Sequence, residues 1–261
     1  MKTFKMGGIH PQDHKHAKNA PIEVFPIPKK SVILMGQHIG IPATPIVKKG
    51  DRVLVGQLIG RAEAFMCANI HSPVSGVVNK VDWAKDASGI NRPAIFIDVD
   101  GDDWMPDIDR SPEIVRECHL SAKEIIEKIK EMGIVGLGGA TFPTHIKYTI
   151  PDGKRAEYLI INGVECEPYL TTDYRAMMER TEQVLVGISI LRKVLGNIPV
   201  LVGIENNKPR AIKFMQQKAA SFEGITVVPL KMKYPQGAEK QLIDALTGRR
   251  IVEGKLPIDV G

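Results

Sequence analysis

The chain has 261 residues, 43% of them hydrophobic and 25% charged, an ordinary globular composition that suffices for one large domain or two smaller ones. No apolar run approaches the ~20 residues of a membrane helix, and the first residues lack the apolar core of a signal peptide. The net charge of +5 comes from lysines spread along the chain, without basic clusters interleaved with aromatics, so no nucleic-acid partner is expected. The three cysteines are too widely separated for a disulfide framework, a metal site or an iron–sulfur cluster.

The first part of the chain carries short β-type runs separated at close intervals by Gly and Pro. The runs are VILM, RVLVGQLIG, GVVNKV and AIFIDV. Short strands at this spacing favour a small β-sandwich or barrel. The stretch GDDWMPDIDRSPE that follows is polar and contains Pro, as a linker does, so we predict one domain over 1–110 and a second over 111–261.

The second part alternates helical and strand patterns. A first helix is expected after Ser121, which forms a capping box with Glu124, and Gly133 is placed to end it. Strands in EYLIIN, PVLVGIE and ITVVPLKMK then alternate with a long helix at 174–195 and shorter helices in KPRAIKFMQQKAA and GAEKQLIDALTG. This order predicts a parallel α/β sheet, with the loops GVECEP, ENNKP and YPQGAE at the carboxyl edge where such sheets bind ligands.

A glycine-rich loop, GIVGLGGATFPTHIKY, is the strongest chemical signal. Glycines let the backbone approach a ligand and present N–H groups to phosphate. Pro143 suits the first turn of a following helix, and Lys147 lies one turn further on, in reach of a phosphate or a flavin oxygen. The loop follows a helix and lacks G-K-[ST], so it matches neither the Rossmann fingerprint nor Walker A. From the residues alone, a plain structural turn is an equal alternative.

Three segments resemble a known flavoprotein family. GLGGATFPTHIKY is similar to the flavin mononucleotide (FMN) loop GRGGAGFPTGLKW of the NADH-binding subunit of respiratory complex I. NGVECEP resembles that family's N-A-D-E-x-E-P, and YPQGAEKQL resembles its Y-x-x-G-E-E-T-A-L. The segments keep the family's order over most of 120–261. The resemblance implies a Rossmann-like FMN-binding α/β domain with a parallel sheet.

The first half of the chain resembles a particular branch. GGIHPQDHK, HIGIPATPIVKKGDRV and IHSPVSGVV are similar to the C subunits of Rnf electron-transport complexes, and this resemblance runs the whole length of the chain. It implies a small barrel-sandwich hybrid domain of the biotinyl/lipoyl type before the α/β domain. Such carriers hold their cofactor on a lysine in an M-K-M hairpin, but here the stretch is Phe65-Met66-Cys67. We interpret the first domain as a docking or scaffolding module.

The glycine loop supplies five of the residues that the resemblance assigns to ligands. Gly136, Gly138 and Gly139 would line the flavin phosphate and ribityl chain. Phe142 would lie near the nicotinamide or adenine ring, and Lys147 would contact the flavin. No residue is assigned a catalytic role, because hydride transfer between NAD(H) and a flavin requires no protein acid or base.

The two later segments supply four more. Asn162 and Glu165 would contact the flavin, whereas Glu167 and Glu239 would contact NAD. From the residues alone, the acidic stretch around Glu165 is better explained as a solvated loop, with a divalent-metal site as the alternative, and Asn162 could simply close a turn. We predict no metal site; the histidines near the N-terminus are better explained as a flexible or surface arm.

The sequence departs from the family pattern at several positions. Leu137 stands where the family has Arg, Thr141 where it has Gly, and Val164 where it has Asp. The Asn pair that completes the family's flavin pocket is expected just after Gly261, and the cysteines for its 4Fe-4S clusters later still. We therefore expect a piece of a longer protein, with the clusters outside it.

The function that the resemblance implies is electron transfer between NAD(H), FMN and iron–sulfur clusters in an ion-translocating ferredoxin:NAD oxidoreductase complex. The expected partners are the membrane subunits of the complex and ferredoxin or an iron–sulfur partner subunit. The expected location is peripheral, at the cytoplasmic side of the inner membrane. A scaffold that has lost flavin binding is the alternative, and Leu137 and Val164 favour it.

Overall fold

A computed structural model describes residues 1–261 and divides them into two compact units. The barrel unit comprises Val24–Glu113 and Lys123–Thr149, and the α/β unit comprises Met1–Glu23, Ile114–Ala122 and Ile150–Gly261. Each unit thus draws on stretches from both sides of residue 110. The division into domains at that residue stays a prediction.

The barrel unit is built from seven strands in two antiparallel sheets. The strands are β1 (Lys30–Leu34), β2 (Thr44–Pro45), β3 (Arg52–Val53), β4 (Leu58–Arg61), β5 (Ile70–His71), β6 (Ser75–Lys85) and β7 (Asn91–Gly101). One sheet has the order β1-β7-β6-β3 and the other β2-β4-β5. Apolar side chains from both sheets, among them Met35, Ile59 and Ile95, are fully buried in one core. The predicted small β-barrel or sandwich is confirmed.

One predicted strand of this unit is wrong. The run RVLVGQLIG forms β3 and β4 with a turn between them. Gly56 has φ +85°, which a continuous strand cannot hold, and the Gln57 side chain accepts a hydrogen bond from the Leu54 N–H at 2.9 Å. The apolar run therefore bends back on itself.

Two helices complete the barrel unit, α1 (Ala122–Glu131) and α2 (Thr144–Tyr148). α1 begins directly after Ser121 and buries Ile125 and Ile129, as its apolar spacing predicts. Gly133 follows with φ +64°, the left-handed conformation that commonly ends a helix. The glycine loop connects α1 to α2.

The α/β unit contains a three-stranded parallel sheet with the order β10-β9-β8, which confirms the predicted sheet. The strands are β8 (Leu159–Asn162), β9 (Val200–Glu205) and β10 (Ile225–Leu230). The helices are α3 (Thr172–Glu179), α4 (Thr181–Val194), α5 (Pro209–Ala219) and α6 (Glu239–Thr247). The predicted long helix at 174–195 is wrong, because the chain leaves helical geometry at Arg180 (φ −127°, ψ 29°) between α3 and α4.

The N-terminal residues belong to the core of the α/β unit. Lys2 forms a parallel bridge with Leu230, and Ile9 forms an antiparallel bridge with Tyr234. Phe4 is buried between them among apolar side chains of β10 and α6. We call residues 2–19 the N-terminal arm. None of the helices in the chain has both the length and the apolar character needed to span a bilayer.

Candidate functional site

The glycine loop projects from the barrel unit as a closed turn. Its base is fixed by a bridge between Val135 and Pro143 and by the Gly136 N–H, which donates to the Phe142 carbonyl at 3.0 Å. At its tip, the Thr141 N–H donates to the Gly138 carbonyl at 3.2 Å. The loop backbone is thereby held in one shape without help from side chains.

The tip of the loop offers a row of free backbone donors. The N–H groups of four consecutive exposed residues donate to no acceptor in the protein: Leu137, Gly138, Gly139 and Ala140. A Cβ atom added at Gly138 or Gly139 would meet nothing within 4 Å, so the space above the backbone is open. Free N–H groups on an open glycine backbone make an anion-binding concavity. The loop fits the phosphate of a flavin mononucleotide.

Lys147 is the predicted flavin contact in the helix that follows this loop. It is exposed, it forms no ion pair, and it lies in the last turn of α2. Pro143 precedes the first residue of that helix, so the expectation that it begins the first turn is off by one residue. α2 has only five residues, and the free N–H groups of the glycine loop are the stronger anion site.

Residues of the barrel contact the glycine loop and the turn that leads into it. The Ile39 N–H donates to the Ala140 carbonyl at 3.2 Å, and Gly133 packs so closely on Asn69 that a Cβ there would lie 2.1 Å from the Asn69 carbonyl oxygen. His145 in α2 is buried, and its Nδ1 has no partner. Burial lowers the pKa of His145, and the nearby charges of Lys130 and His38 lower it further. The buried imidazole therefore favours its neutral form.

Four residues predicted to bind ligands lie in the α/β unit, at or just beyond the carboxyl edge of its sheet: Asn162, Glu165, Glu167 and Glu239. Asn162 ends β8, and its Nδ2 donates to the Gly237 carbonyl at 2.8 Å. Glu167 and Glu239 are exposed and form no ion pair, and Glu239 begins α6. Lys208, which follows β9, donates to the Val164 carbonyl at 2.6 Å. The three loops that the sequence predicts at one edge are therefore brought together.

Glu165 differs from the other predicted ligand residues because its side chain is buried. Its Oε1 accepts the N–H groups of Asp173 at 2.7 Å and Tyr174 at 3.4 Å, so the carboxylate caps the start of α3. Its Oε2 accepts no hydrogen bond. Burial raises the pKa of Glu165, while the Asp173 N–H and the charges of Lys15 and Lys208 oppose the rise.

Two buried lysines, which the sequence did not reveal, adjoin Glu165. Lys15 lies 3.7 Å from Glu165 Oε2, and Lys208 lies 3.8 Å from Oε2 of the equally buried Glu205. Burial lowers the pKa of Lys208, and the carboxylates of Glu205 and Glu165 oppose this. Lysines are seldom buried unless they are paired, so residue type alone does not predict that these two are buried. The only sequence signal was their place in the segments HPQDHK, which carries Lys15, and ENNKP, which carries Lys208.

The histidines of the arm are partly engaged. The ring of His14 stacks on Tyr169 with ring centroids 5.2 Å apart, and His16 lies beside both rings. His10 and His16 are exposed. No three His, Cys, Asp or Glu side chains of the chain gather in a way that could hold a metal ion.

Comparison with known families separates the chain into two matched regions. A family model described as the RnfC barrel sandwich hybrid domain matches residues 2–102. A second, described as the Nuo51 FMN-binding domain, matches residues 129–261, which include the glycine loop and the carboxyl edge of the sheet.

Several relatives align over nearly all of the chain. The C subunit of a proton-translocating ferredoxin:NAD(+) oxidoreductase complex from Clostridium ljungdahlii is 48% identical over 100% of this chain and 56% of its own length. The C subunit of a Na(+)-translocating complex of the same kind from Acetobacterium woodii is 42% identical over 99% of this chain and 58% of its own length. The chain thus spans little more than half the length of these relatives.

Among solved structures, an NAD+-reducing [NiFe]-hydrogenase is similar over 54% of this chain and 27% of its own, with 25% identity and a TM-score of 0.45. That likeness is too weak to carry an argument. The sequence relatives and the two family matches carry the assignment instead. The chain joins a region matched by the RnfC barrel model to a region matched by the Nuo51 FMN-binding model, and the second region covers half of the chain. The chain therefore belongs to the RnfC family.

Proposed function

We propose that the chain is the FMN- and NAD(H)-binding part of an electron-transfer subunit in an ion-translocating ferredoxin:NAD oxidoreductase complex. The observation that carries this proposal is the open glycine loop with its four free N–H groups, which lies inside the region matched by the FMN-binding family. The relatives that share the full length of the chain are subunits of such complexes.

The chain's own residues would bind and orient, not transfer protons. The N–H groups of Leu137 to Ala140 would hold the FMN phosphate, and Lys147 would add a cation to it. A bound flavin supplies the conversion between a two-electron hydride and single electrons, which side chains cannot perform. Direct hydride transfer between a nicotinamide and a flavin would need no protein base, so the task of the chain's own residues would be to orient the two rings.

Glu167 and Glu239 would recognise NAD(H). Carboxylates accept hydrogen bonds from ribose hydroxyls, as acidic residues do in dinucleotide-binding folds. Both side chains are exposed and free of ion pairs, so binding NAD(H) would break no existing contact. Asn162 and Glu165 would act on the flavin, and Phe142 would lie near the nicotinamide or adenine ring.

The subunit would pass electrons to iron–sulfur clusters held outside this chain, and from them to ferredoxin or an iron–sulfur partner subunit. It would dock on the membrane subunits of the complex at the cytoplasmic side of the inner membrane. Cofractionation of the native protein with membranes after gentle lysis, and its release by salt, would support this placement. A protein found wholly in the supernatant would contradict it.

A non-catalytic scaffold is the second candidate, and Leu137 and Val164, which both depart from the family pattern, favour it. Val164 stands where the complex I family has an acidic flavin contact, and its side chain is fully buried in the apolar core of the α/β unit. One polar contact with the flavin is therefore absent. The scaffold would keep the fold and its partners but bind no flavin.

Titration with FMN distinguishes the two functions. The purified chain should quench the fluorescence of added FMN and retain the yellow flavin absorption after gel filtration. NADH added without oxygen should then bleach that absorption. Riboflavin, which lacks the phosphate, is the matched control and should bind more weakly. A chain that leaves FMN fluorescence unchanged would support the scaffold.

A further inference from the structure

The N-terminal arm reaches the glutamate loop through one buried side chain. We define the glutamate loop as residues 163–170, which carry Glu165 and Glu167. The Nζ of Lys15 donates to the carbonyl oxygens of Glu165 at 2.9 Å, Glu167 at 2.9 Å and Leu170 at 2.5 Å. A lysine ammonium has three donors, and all three are used. Lys15 is only 8% exposed.

The conformation of the glutamate loop needs such a support. Glu165 has φ +50° and Tyr169 has φ +69°, both in the left-handed region that residues other than glycine seldom adopt. Such strain persists only where the surroundings determine it. The three carbonyls held by Lys15 flank these two residues, so the ammonium fixes the part of the loop that is least favourable.

Lys208 also holds the loop. That ammonium donates to the Val164 carbonyl at 2.6 Å and to Asn207 Oδ1 at 3.0 Å. The carboxylates of Glu165 and Glu205 lie 3.7 and 3.8 Å from the two lysines and balance their charge. Removing one member leaves an uncompensated buried charge, so this group acts as a unit.

The two lysines differ in origin. Lys208 belongs to the α/β core at the end of β9, whereas Lys15 is separated from Glu165 by 150 residues of sequence. The arm is tied down independently by the bridges at Lys2 and Ile9, and the Tyr169 N–H of the loop also donates to the Asp13 carbonyl at 2.9 Å. Lys15 is thus delivered to the loop by an ordered segment.

We propose that Lys15 is a positioning residue, which holds the glutamate loop in the shape that presents Glu167 to NAD(H) and fixes the Glu165 carboxylate. The inference rests on the proposed function for its ligand. Lys15 itself is enclosed by carbonyls and would touch neither flavin nor nucleotide. Its contribution is to the geometry of the loop.

The test compares Lys15→Met with Lys5→Met and Lys15→Arg. Met is nearly as long as Lys but removes the donor of all three carbonyl bonds, whereas Lys5 is an exposed arm lysine whose side chain has no partner. Amide hydrogen exchange across residues 163–174 reports the loop, and NADH-dependent flavin reduction reports the KM and kcat. Lys15→Met should speed exchange in this stretch and raise the KM for NADH roughly tenfold, about 1.4 kcal/mol, with kcat little changed. Lys5→Met should behave as wild type.

Lys15→Arg keeps the charge and the donors, and it should restore part of the NADH affinity and part of the protection. If Lys15→Met does not fold, Lys15→Arg alone decides whether Lys15 is a positioning residue. A purely structural lysine would leave the KM for NADH unchanged once Arg restores folding, whereas a positioning lysine would leave it partly raised. Exchange and KM at wild-type values in Lys15→Met would overturn the proposal, as would uniform loosening of the whole α/β unit. If the wild type binds neither FMN nor NADH, the proposed function fails, while the exchange data still decide whether Lys15 positions the loop.

Discussion

The side chain of Asn162, the last residue of β8, donates from Nδ2 to the carbonyl oxygen of Gly237, 2.8 Å away and 75 residues further along the chain. Its Oδ1 accepts the Val164 N–H at 3.2 Å. One amide therefore ties the first edge loop to the last, which leads into Glu239. Asn162 closes a turn, as one interpretation of the sequence holds, and it also fixes the loop that would present a carboxylate to NAD(H).

Replacing Asn162 with Asp should separate these roles. Asp keeps the acceptor for Val164 but loses the donor to Gly237 and places a negative charge against that carbonyl. We expect the free energy of unfolding to fall by about 1 kcal/mol, the typical net value of one hydrogen bond, and NADH affinity to fall with it. Urea unfolding and NADH titration measure the two effects. Asn197→Asp, at an exposed turn, is the control, and equal results for both variants would contradict the prediction.

Lys147→Ala should weaken FMN binding. A charge-assisted hydrogen bond is worth ~1.5–3 kcal/mol. At 1.4 kcal/mol per tenfold, its loss lowers FMN affinity by roughly 10- to 150-fold. Glu239→Ala should instead weaken NADH binding with FMN retained, because its carboxylate is proposed to act on the nucleotide. Fluorescence quenching and NADH-driven bleaching separate the effects, with exposed Lys49→Ala as control. Unchanged FMN affinity in Lys147→Ala would show that the proposed position of the flavin is wrong.

Gly138→Val should block FMN without disturbing the fold. The space beside Gly138 is open and its φ lies outside the left-handed region, so Val fits the free protein but covers the donors of the loop. Gly139→Val should also cost stability, because Gly139 has φ +57°. Thermal unfolding and FMN titration distinguish the variants, and Gly187→Ala in α4 serves as control. FMN affinity at wild-type strength in Gly138→Val would rule out the loop as the phosphate site.

The parallel sheet and its edge loops could be predicted because apolar strands alternate with helices of recognisable period. Other features carry no such signal. β2 and β5 have two residues each, too few for any period. The break at Arg180 interrupts an apolar pattern that continues on both sides.

The candidate site likewise has parts that the sequence predicts and parts that it does not. The glycine loop is visible in sequence because its chemistry resides in neighbouring residues. Lys15 could not be recognised as buried, since a lysine in a polar segment is normally solvated and its partners lie 150 or more residues away. The sequence also does not reveal that Glu165 caps α3. The N–H groups that donate to its carboxylate, those of Asp173 and Tyr174, lie beyond the left-handed residue Tyr169.

His145 should make the protein less stable as the pH falls below about 6.5, the ordinary value of a histidine. Because the pKa of buried His145 is lowered, the unfolded chain binds more protons than the folded chain between that lowered pKa and 6.5. Stability therefore rises with pH through this window and levels off above it. The groups that face the ring are Lys130 and His38, and both disfavour its protonation.

The measurement is the difference in unfolding free energy between wild type and His145→Gln at several pH values. The wild type should lose stability relative to the variant below pH 6.5 and run parallel to it above. Parallel curves for wild type and His145→Gln over the whole range would mean that this ring is not held neutral.

Limited proteolysis tests how the chain divides. The stretch from Asp107 to Leu120 lacks helix and strand and is largely exposed, so trypsin should cut there first, after Arg110. Cleavage would give pieces 1–110 and 111–261. If these were independent domains, they would separate under native conditions.

The structure leads to the opposite expectation, because each compact unit contains residues from both pieces. The arm is bound to the α/β unit through Lys2 and through the three bonds of Lys15. In the barrel unit, Asn69 Nδ2 donates to the Glu131 carbonyl at 2.9 Å, and Gly133 packs on the same residue. The two pieces should therefore coelute from a native gel-filtration column and separate only in denaturant. Separate native peaks would instead establish two sequential domains divided near residue 110.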